Sequence, residues 1–371
     1  MTDIQLGPIR ASPEQAKLLL CLLISYGFSF YYWHRLIKLN YPRLKQFYLG
    51  AVGLLFLWII FPWDCLLNIL LPPLLVWWLA RQYRSHPWMP VAVMVGCMVH
   101  LAACHIWQAF LAPLELNNYR VDMTTPLMIM VIKLTSFAFD MADGYRAARR
   151  RSSRSSSQDP IQQTGEAVSK PEEREEHARK MQALRRYPSL LEFIGYALCF
   201  PGLLTGPVVS FVDYRAFIDG SYFAGLDFSQ AGAVAGRKRR ALRQFLMAVT
   251  FLGVYVTLRD MITVQSLLEP EHWQRPLWYR LGYLHLAHVV SRSKYYFAWL
   301  IAEGSYILIG LGYRPSPTTG KPLWDRRVNC NPRRIEFASD FRRLVSEWNM
   351  ATSQWLYDYV YKRIGDYYYP G

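Results

Sequence analysis

Phe47-Tyr-Leu-Gly-Ala-Val-Gly-Leu-Leu-Phe-Leu-Trp-Ile-Ile-Phe61 carries no charge, and after Pro62-Trp63-Asp64 a second apolar run continues to Ala80. Crossing a hydrocarbon core takes about 20 residues of helix, so runs of this kind read as membrane helices. Outward from this pair, further apolar segments fall near 17–33, 88–112, 126–142, 190–210, 242–262, 278–290 and 294–312. The 371 residues would allow two or three soluble domains, but the clustering of apolar residues excludes them. The fold class expected is all-α: a polytopic membrane helical bundle with about eight or nine apolar segments. The mean hydropathy of +0.04 is low for such a protein. The charged segment 143–188 and the polar tail 313–371 account for it. The 13 Trp and 25 Tyr suit side chains that sit at the membrane–water interface.

The net charge of +15 could point to nucleic acid, an anionic membrane or an anionic substrate. No nucleic-acid motif accompanies it, and most of the excess lies in loops between apolar runs, as the positive-inside rule expects. Arg35, Lys38, Arg43 and Lys45, then Arg81 and Arg84, then the Arg-dense segment 143–188 would all face the cytoplasm. The N-terminus would be lumenal, with the first apolar run kept as an anchor. Six cysteines show neither Cys-x-x-Cys nor zinc-ligand spacing and read as reduced packing residues; neither a metal nor a cofactor is expected.

The alternation of basic loops breaks at one place. Were 190–210 a full span, Arg237-Lys-Arg-Arg240 would be lumenal. Pro201, Gly202, Gly206 and Pro207 also interrupt it, and such breakers are tolerated at membrane depth where backbone lines a protein cavity. A broken or re-entrant element and a kinked ordinary span, with 237–240 placed by other forces, are both open. The chain therefore divides into membrane helices over 1–142, a basic, Ser-rich disordered loop over 143–188, and a core with a cytoplasmic tail over 189–371. Glu172 to Tyr187 could form a short charged helix, and Ser152 to Ser157 follow arginines in a pattern suited to a basophilic kinase.

Four blocks carry chemistry. Lys133-Leu-Thr-Ser-Phe-Ala-Phe-Asp140 sets a lysine and an aspartate two helical turns apart, on one face, inside an apolar segment. Leu203-Leu-Thr-Gly-Pro207 leads into Asp213-Tyr214-Arg215. Glu303-Gly is followed by Gly310-Leu-Gly-Tyr313. Trp348-Asn349 is followed by Trp355-Leu356, with Asn329-x-x-Pro332 ahead of it and Tyr359-Val-Tyr-Lys-Arg363 after it. In this order, over roughly residues 10–363, the blocks resemble those of the membrane-bound O-acyltransferases (MBOAT), and among them the fungal lysophospholipid acyltransferases.

The resemblance implies a multi-pass enzyme of the endoplasmic reticulum membrane, working in phospholipid synthesis or remodelling. It would transfer an acyl group from acyl-CoA to a lysophospholipid hydroxyl, inside a bundle of about eleven helices around a tunnel. Acyl-CoA is then a co-substrate, and acyl-CoA, lysophospholipid and the bilayer are the expected partners. The family's catalytic pair is an asparagine, matched by Asn349, and a downstream histidine; no histidine follows His288 here. An amide can hold the oxyanion of a tetrahedral intermediate but cannot take the hydroxyl's proton. The expectation is a copy incomplete at its C-terminus and impaired in activity. A non-catalytic acyl-CoA- or lipid-binding relative is the first alternative, and a transporter or channel using Lys133 and Asp140 the second. Candidate binding residues are Trp348, Trp355, Glu303, Asp213, Tyr214 and Arg215. Arg333, Arg334, Arg342 and Arg343 suit either CoA phosphates or lipid headgroups.

Overall fold

The computed structural model describes residues 4–6, 9–11, 13–111, 122–156, 184, 186–224, 226, 234–316 and 319–364. Two short strands, Ile4–Leu6 and Ile9–Ala11, pair antiparallel at the N-terminus. Helices follow: α1 (Pro13–Tyr31), α2 (Pro42–Ile60), α3 (Trp63–Tyr83), α4 (Met89–Ile106), α5 (Thr124–Ser156), α6 (Leu190–Ala197), α7 (Phe211–Asp219), α8 (Arg237–Leu258) and α9 (Leu277–Ile309). The tail carries a two-residue-strand hairpin, Arg314–Pro315 with Pro322–Leu323, then α10 (Pro332–Glu336), α11 (Phe341–Glu347) and α12 (Met350–Leu356). Among the described residues six helices are long and apolar enough to cross a membrane: Pro13–Leu36, Pro42–Ile60, Trp63–Tyr83, Met89–Phe110, Thr124–Arg149 and Arg237–Leu258. They expose large apolar side chains, among them Trp58, Leu67 and Val99, and so much bare apolar surface marks a bilayer-facing protein.

The helices belong to two compact units. One gathers Met1–Lys38, Leu204–Pro207 and Gly225–Leu356; the other gathers Leu39–Leu203, Val208–Ala224 and Tyr357–Gly371. In the second unit α5 is central: 83% of its apolar window is buried, against 28% for that of α4. In the same unit α2 packs on α6 through small residues, with Gly50 against the Gly195 backbone, as membrane helices do when they approach closely. Gly53 lies on the Leu198 carbonyl and leaves no room for a Cβ. Gly53→Ala is expected to cost roughly 1–3 kcal/mol, because the clash is with backbone that cannot rotate away; thermal unfolding in detergent measures it.

Three expectations change. The segments 278–290 and 294–312 are not separate: α9 runs through both. The polar Ser291-Arg-Ser-Lys294 step that suggested a boundary is helical, with Arg292 paired to Glu336 and Ser293 bonded to the Val289 carbonyl. The helix α5 passes the expected boundary at 142 and reaches Ser156. The proposed helix over Glu172 to Tyr187 and the side chains of the Ser152–Ser157 phosphorylation motif lie outside the described residues, apart from 184, 186 and 187.

The third change concerns 190–210. It is not a spanning helix: α6 ends at Ala197, one 3-10 turn follows at Phe200–Gly202, and the Gly206–Pro207 peptide is cis. The charge argument that led to this break does not hold, however. Arg237 is 3% exposed, stacks 4.1 Å from the Trp33 ring centre and donates to the Leu308 carbonyl. Arg240 reaches Glu303 at 3.8 Å. Two of the four basic side chains are thus held by interior partners, which offsets the pull of the positive-inside rule.

Candidate functional site

Asn349 sits in the turn between α11 and α12. Trp348 ends α11 in an extended conformation, and Asn349 has φ 46°, in the left-handed region that asparagine tolerates better than most residues. Its carbonyl accepts from Thr352 N at 3.0 Å and Ser353 N at 3.1 Å, which starts α12. Trp348 is fixed against α9 by edge contacts to Trp299 at 4.9 Å, Tyr295 at 5.7 Å and Tyr296 at 5.9 Å. Trp355, near the end of α12, is buried.

The orientation of the Asn349 amide is set by a second asparagine. Asn329 is 2% exposed. Its carbonyl accepts from Met350 N at 2.9 Å, and its Oδ1 accepts from Ala351 N at 3.0 Å. A backbone N–H can only donate, so the Oδ1 of Asn329 is fixed and its Nδ2 must be the group that turns to Asn349. That Nδ2 donates to Asn349 Oδ1 at 3.3 Å, and the Thr352 hydroxyl donates to the same oxygen at 3.0 Å. The Asn349 oxygen is therefore occupied, and its NH2 donates to no protein group among the described residues. The side chain presents two amide hydrogens from a half-buried turn, the arrangement an oxyanion requires.

The supports of this turn reach α9. Glu336 on α10 takes a two-pronged ion pair from Arg292, at 2.9 and 2.5 Å, and a 2.5 Å hydrogen bond from the Tyr296 hydroxyl. Arg334 pairs with Glu347 at 2.8 Å. Next to Asn329, burial and the Glu303 charge push the Cys330 thiol well above its ordinary range, so it is a packing group rather than a nucleophile. At α11, Asp340 accepts from Arg343 N at 2.8 Å and from the Ser339 hydroxyl, and these bonds hold its carboxyl below the ordinary value.

The other candidates separate clearly. Glu303, 1% exposed, accepts from Gln244 Nε2 and faces Arg240 from α9 to α8. Asp213 opens α7, its N–H donating to Ser210 Oγ at 3.1 Å. Tyr214 is fully buried against Gly195. Arg215 donates to Glu192 at 2.7 Å and to the Arg186 carbonyl at 3.0 Å. Tyr214 and Arg215 are thus taken up in joining α7 to α6. The guanidiniums of Arg333, Arg342 and Arg343 are exposed and form no ion pair among the described residues, whereas that of Arg334 is engaged.

Lys133 also has a definite task. Its Nζ, fully buried, donates to the carbonyls of Tyr196 at 3.2 Å and Ala197 at 3.1 Å, the last of α6. Asp140 instead accepts from Tyr359 at 3.0 Å. The pair reads as structural, and an ion path would lose its cation. All six cysteines are buried, and none forms a disulfide among the described residues. Sequence reasoning missed Asn329 as a positioning group, and it missed Arg292, Tyr296 and Glu336 altogether. Asn329 entered only through the Asn329-x-x-Pro332 spacing.

Comparison with known proteins bears directly on this turn. The family profile of the membrane-bound O-acyltransferases matches residues 108–367, which include every residue of the Asn349 turn. The chain belongs to the MBOAT family. It is 31% identical over 358 residues to a lysophospholipid acyltransferase of Schizosaccharomyces pombe, covering 95% of this chain and 63% of that one. It is 32% identical over 298 residues to a lysophospholipid acyltransferase of Saccharomyces cerevisiae, covering 77% of this chain and 44% of the relative. A membrane-bound glycerophospholipid O-acyltransferase 2 of Mus musculus is 28% identical over 278 residues, 72% of this chain and 49% of that one. The chain thus spans between 44% and 63% of the length of these relatives.

Proposed function

We propose that this MBOAT protein is an acyl-CoA-dependent lysophospholipid O-acyltransferase of the endoplasmic reticulum membrane. The observation that carries the proposal is the Asn329–Asn349–Thr352 network, which fills one side of the Asn349 amide and leaves its NH2 as a donor. The names of the S. pombe and S. cerevisiae relatives support the lysophospholipid as acceptor. In the reaction the acceptor hydroxyl adds to the thioester carbonyl and gives up its proton to a base. The carbonyl oxygen becomes an oxyanion, and its collapse expels the CoA thiolate, which takes up a proton. The amide of Asn349 is suited to hold the oxyanion. The exposed guanidiniums of Arg333, Arg342 and Arg343 are suited to CoA phosphates. The base in the family pattern is a histidine downstream of the asparagine, so these residues account for the oxyanion side of the chemistry only.

Expressed from its complete gene in microsomes, the protein is expected to convert labelled lysophosphatidylcholine or another lysophospholipid to phospholipid in the presence of oleoyl-CoA. Asn349→Ala should lower kcat by about 10²–10³-fold, the usual loss for one oxyanion donor. Acyl-CoA binding without turnover on any lysophospholipid headgroup would instead establish a non-catalytic binding relative.

A further inference from the structure

The second unit holds a cavity of about 600 Å³ lined by Arg43, Arg81, Arg84, Arg186, Tyr187 and Glu192, among others. The arginines come from three basic segments distant in sequence. Arg43 lies in the first turn of α2, Arg81 and Arg84 at the end of α3, and Arg186 ahead of α6. Four guanidiniums face one carboxylate, and that carboxylate is already engaged by Arg215 at 2.7 Å and Arg186 at 3.2 Å. Among the described residues Arg43, Arg81 and Arg84 form no ion pair. Gathering like charges in this way is unfavourable unless an anion joins them.

The site is also rigid. The Arg81 guanidinium stacks 5.2 Å from the Trp77 ring centre, and that of Arg84 lies 5.3 Å from Tyr145 and 6.0 Å from Tyr187. Trp77 donates to the Pro188 carbonyl at 3.2 Å, and the Tyr187 hydroxyl donates to the Trp77 carbonyl. Aromatic stacking uses the guanidinium faces and leaves their N–H donors in plane for a ligand.

We infer that this cavity binds the headgroup of an anionic phospholipid bearing a phosphomonoester, of the phosphatidic acid class. Three observations select this ligand. Several forked donors match a group carrying about −1.5 to −2 charge and three acceptor oxygens. The volume suits a headgroup rather than a bare ion. Arg43, Arg81 and Arg84 lie at the ends of helices long and apolar enough to cross a membrane, and the ends of a spanning helix meet the lipid phosphates. Every residue named for the cavity belongs to the second unit, whereas Asn349, Asn329 and Trp348 belong to the first, so the site does not depend on the acyltransferase reading.

Native mass spectrometry of the purified chain in neutral detergent tests the inference, with dioctanoyl phosphatidic acid, dioctanoyl phosphatidylcholine, inorganic phosphate and CoA as probes. One phosphatidic acid adduct is expected, with no comparable phosphatidylcholine adduct. The R81Q/R84Q double variant should raise its Kd tenfold or more, Arg43→Gln several-fold, and R333Q/R342Q not at all. Arg43 is an exposed first-turn side chain, so its variant keeps the test open if the double variant fails to fold. Unchanged affinity in Arg43→Gln and R81Q/R84Q overturns the inference. So does displacement of the lipid by equal concentrations of inorganic phosphate or CoA, which would assign the cavity to a soluble phosphate.

Discussion

Asn329→Asp will lower kcat for the proposed lysophospholipid acylation by about 10²-fold, as much as Asn329→Ala does, with KM nearly unchanged. The two variants fail for different reasons, and the comparison separates positioning from mere support. In Asn329→Ala, Ala351 N loses its acceptor and Asn349 Oδ1 loses a donor, so the Asn349 amide is free to turn. In Asn329→Asp the cap on Ala351 N survives, since aspartate caps helices as well as asparagine does. The second carboxylate oxygen then faces Asn349 Oδ1, oxygen against oxygen. The Asn349 amide relieves this by flipping, which brings its NH2 onto the carboxylate and withdraws it from the oxyanion. A residue that only caps α12 would tolerate aspartate and keep its kcat. Steady-state kinetics on both variants, beside Asn349→Ala, decide between the two roles. The size of the loss follows from the worth of one positioned donor, about 2.7–4 kcal/mol in the transition state.

The Asn349 site was half legible in the chain. Trp348, Asn349 and Trp355 stand out because a polar residue between tryptophans matches a family pattern. Asn329 does not, although it fixes which end of the Asn349 amide is free. Its role depends on a contact across 20 residues of chain, and the Asn329-x-x-Pro332 spacing marks the residue but not that role. Arg292 and Glu336, 44 positions apart, are hidden for the same reason. The arginine pairs were legible as charge but not as individuals. Only the contacts show that Arg334 is taken by Glu347 while its neighbour Arg333 is left exposed.

The helices were easier to read, because an apolar run of sufficient length has few alternatives in a bilayer. The exceptions are the places where polar groups sit among apolar ones. In Ser291-Arg-Ser-Lys294 they look like a loop, but they are helical positions whose side chains meet tertiary partners. In Arg237-Lys-Arg-Arg240 they look like a topology signal, but Arg237 and Arg240 are interior ligands of Leu308 and Glu303. Charge counted along the chain cannot distinguish a side chain in water from one satisfied by protein.

Lys133→Met should destabilise the protein by about 1–3 kcal/mol, and this follows from the same distinction. The last carbonyls of a helix have no partner within it, and those of Tyr196 and Ala197 belong to fully buried residues. Lys133 supplies both with an amine. Methionine keeps the volume but not the donors: the Tyr196 carbonyl keeps the Cys199 N–H at 3.3 Å, but that of Ala197 is left bare, at about 1–3 kcal/mol. By contrast, Asp143→Asn weakens a half-exposed ion pair with Arg363 and should cost about 1 kcal/mol or less. Unfolding of both variants in the same detergent, followed by tryptophan fluorescence, gives the comparison. If Lys133→Met is no less stable than Asp143→Asn, the amine is not holding the end of α6. Lys133 would then have to be reconsidered as a functional cation. If the expected order is found, the helix breakers after Ala197 have a clear cause. A buried lysine from α5 closes α6 early, and the chain that follows is free to turn through Phe200–Gly202 rather than continue across the membrane.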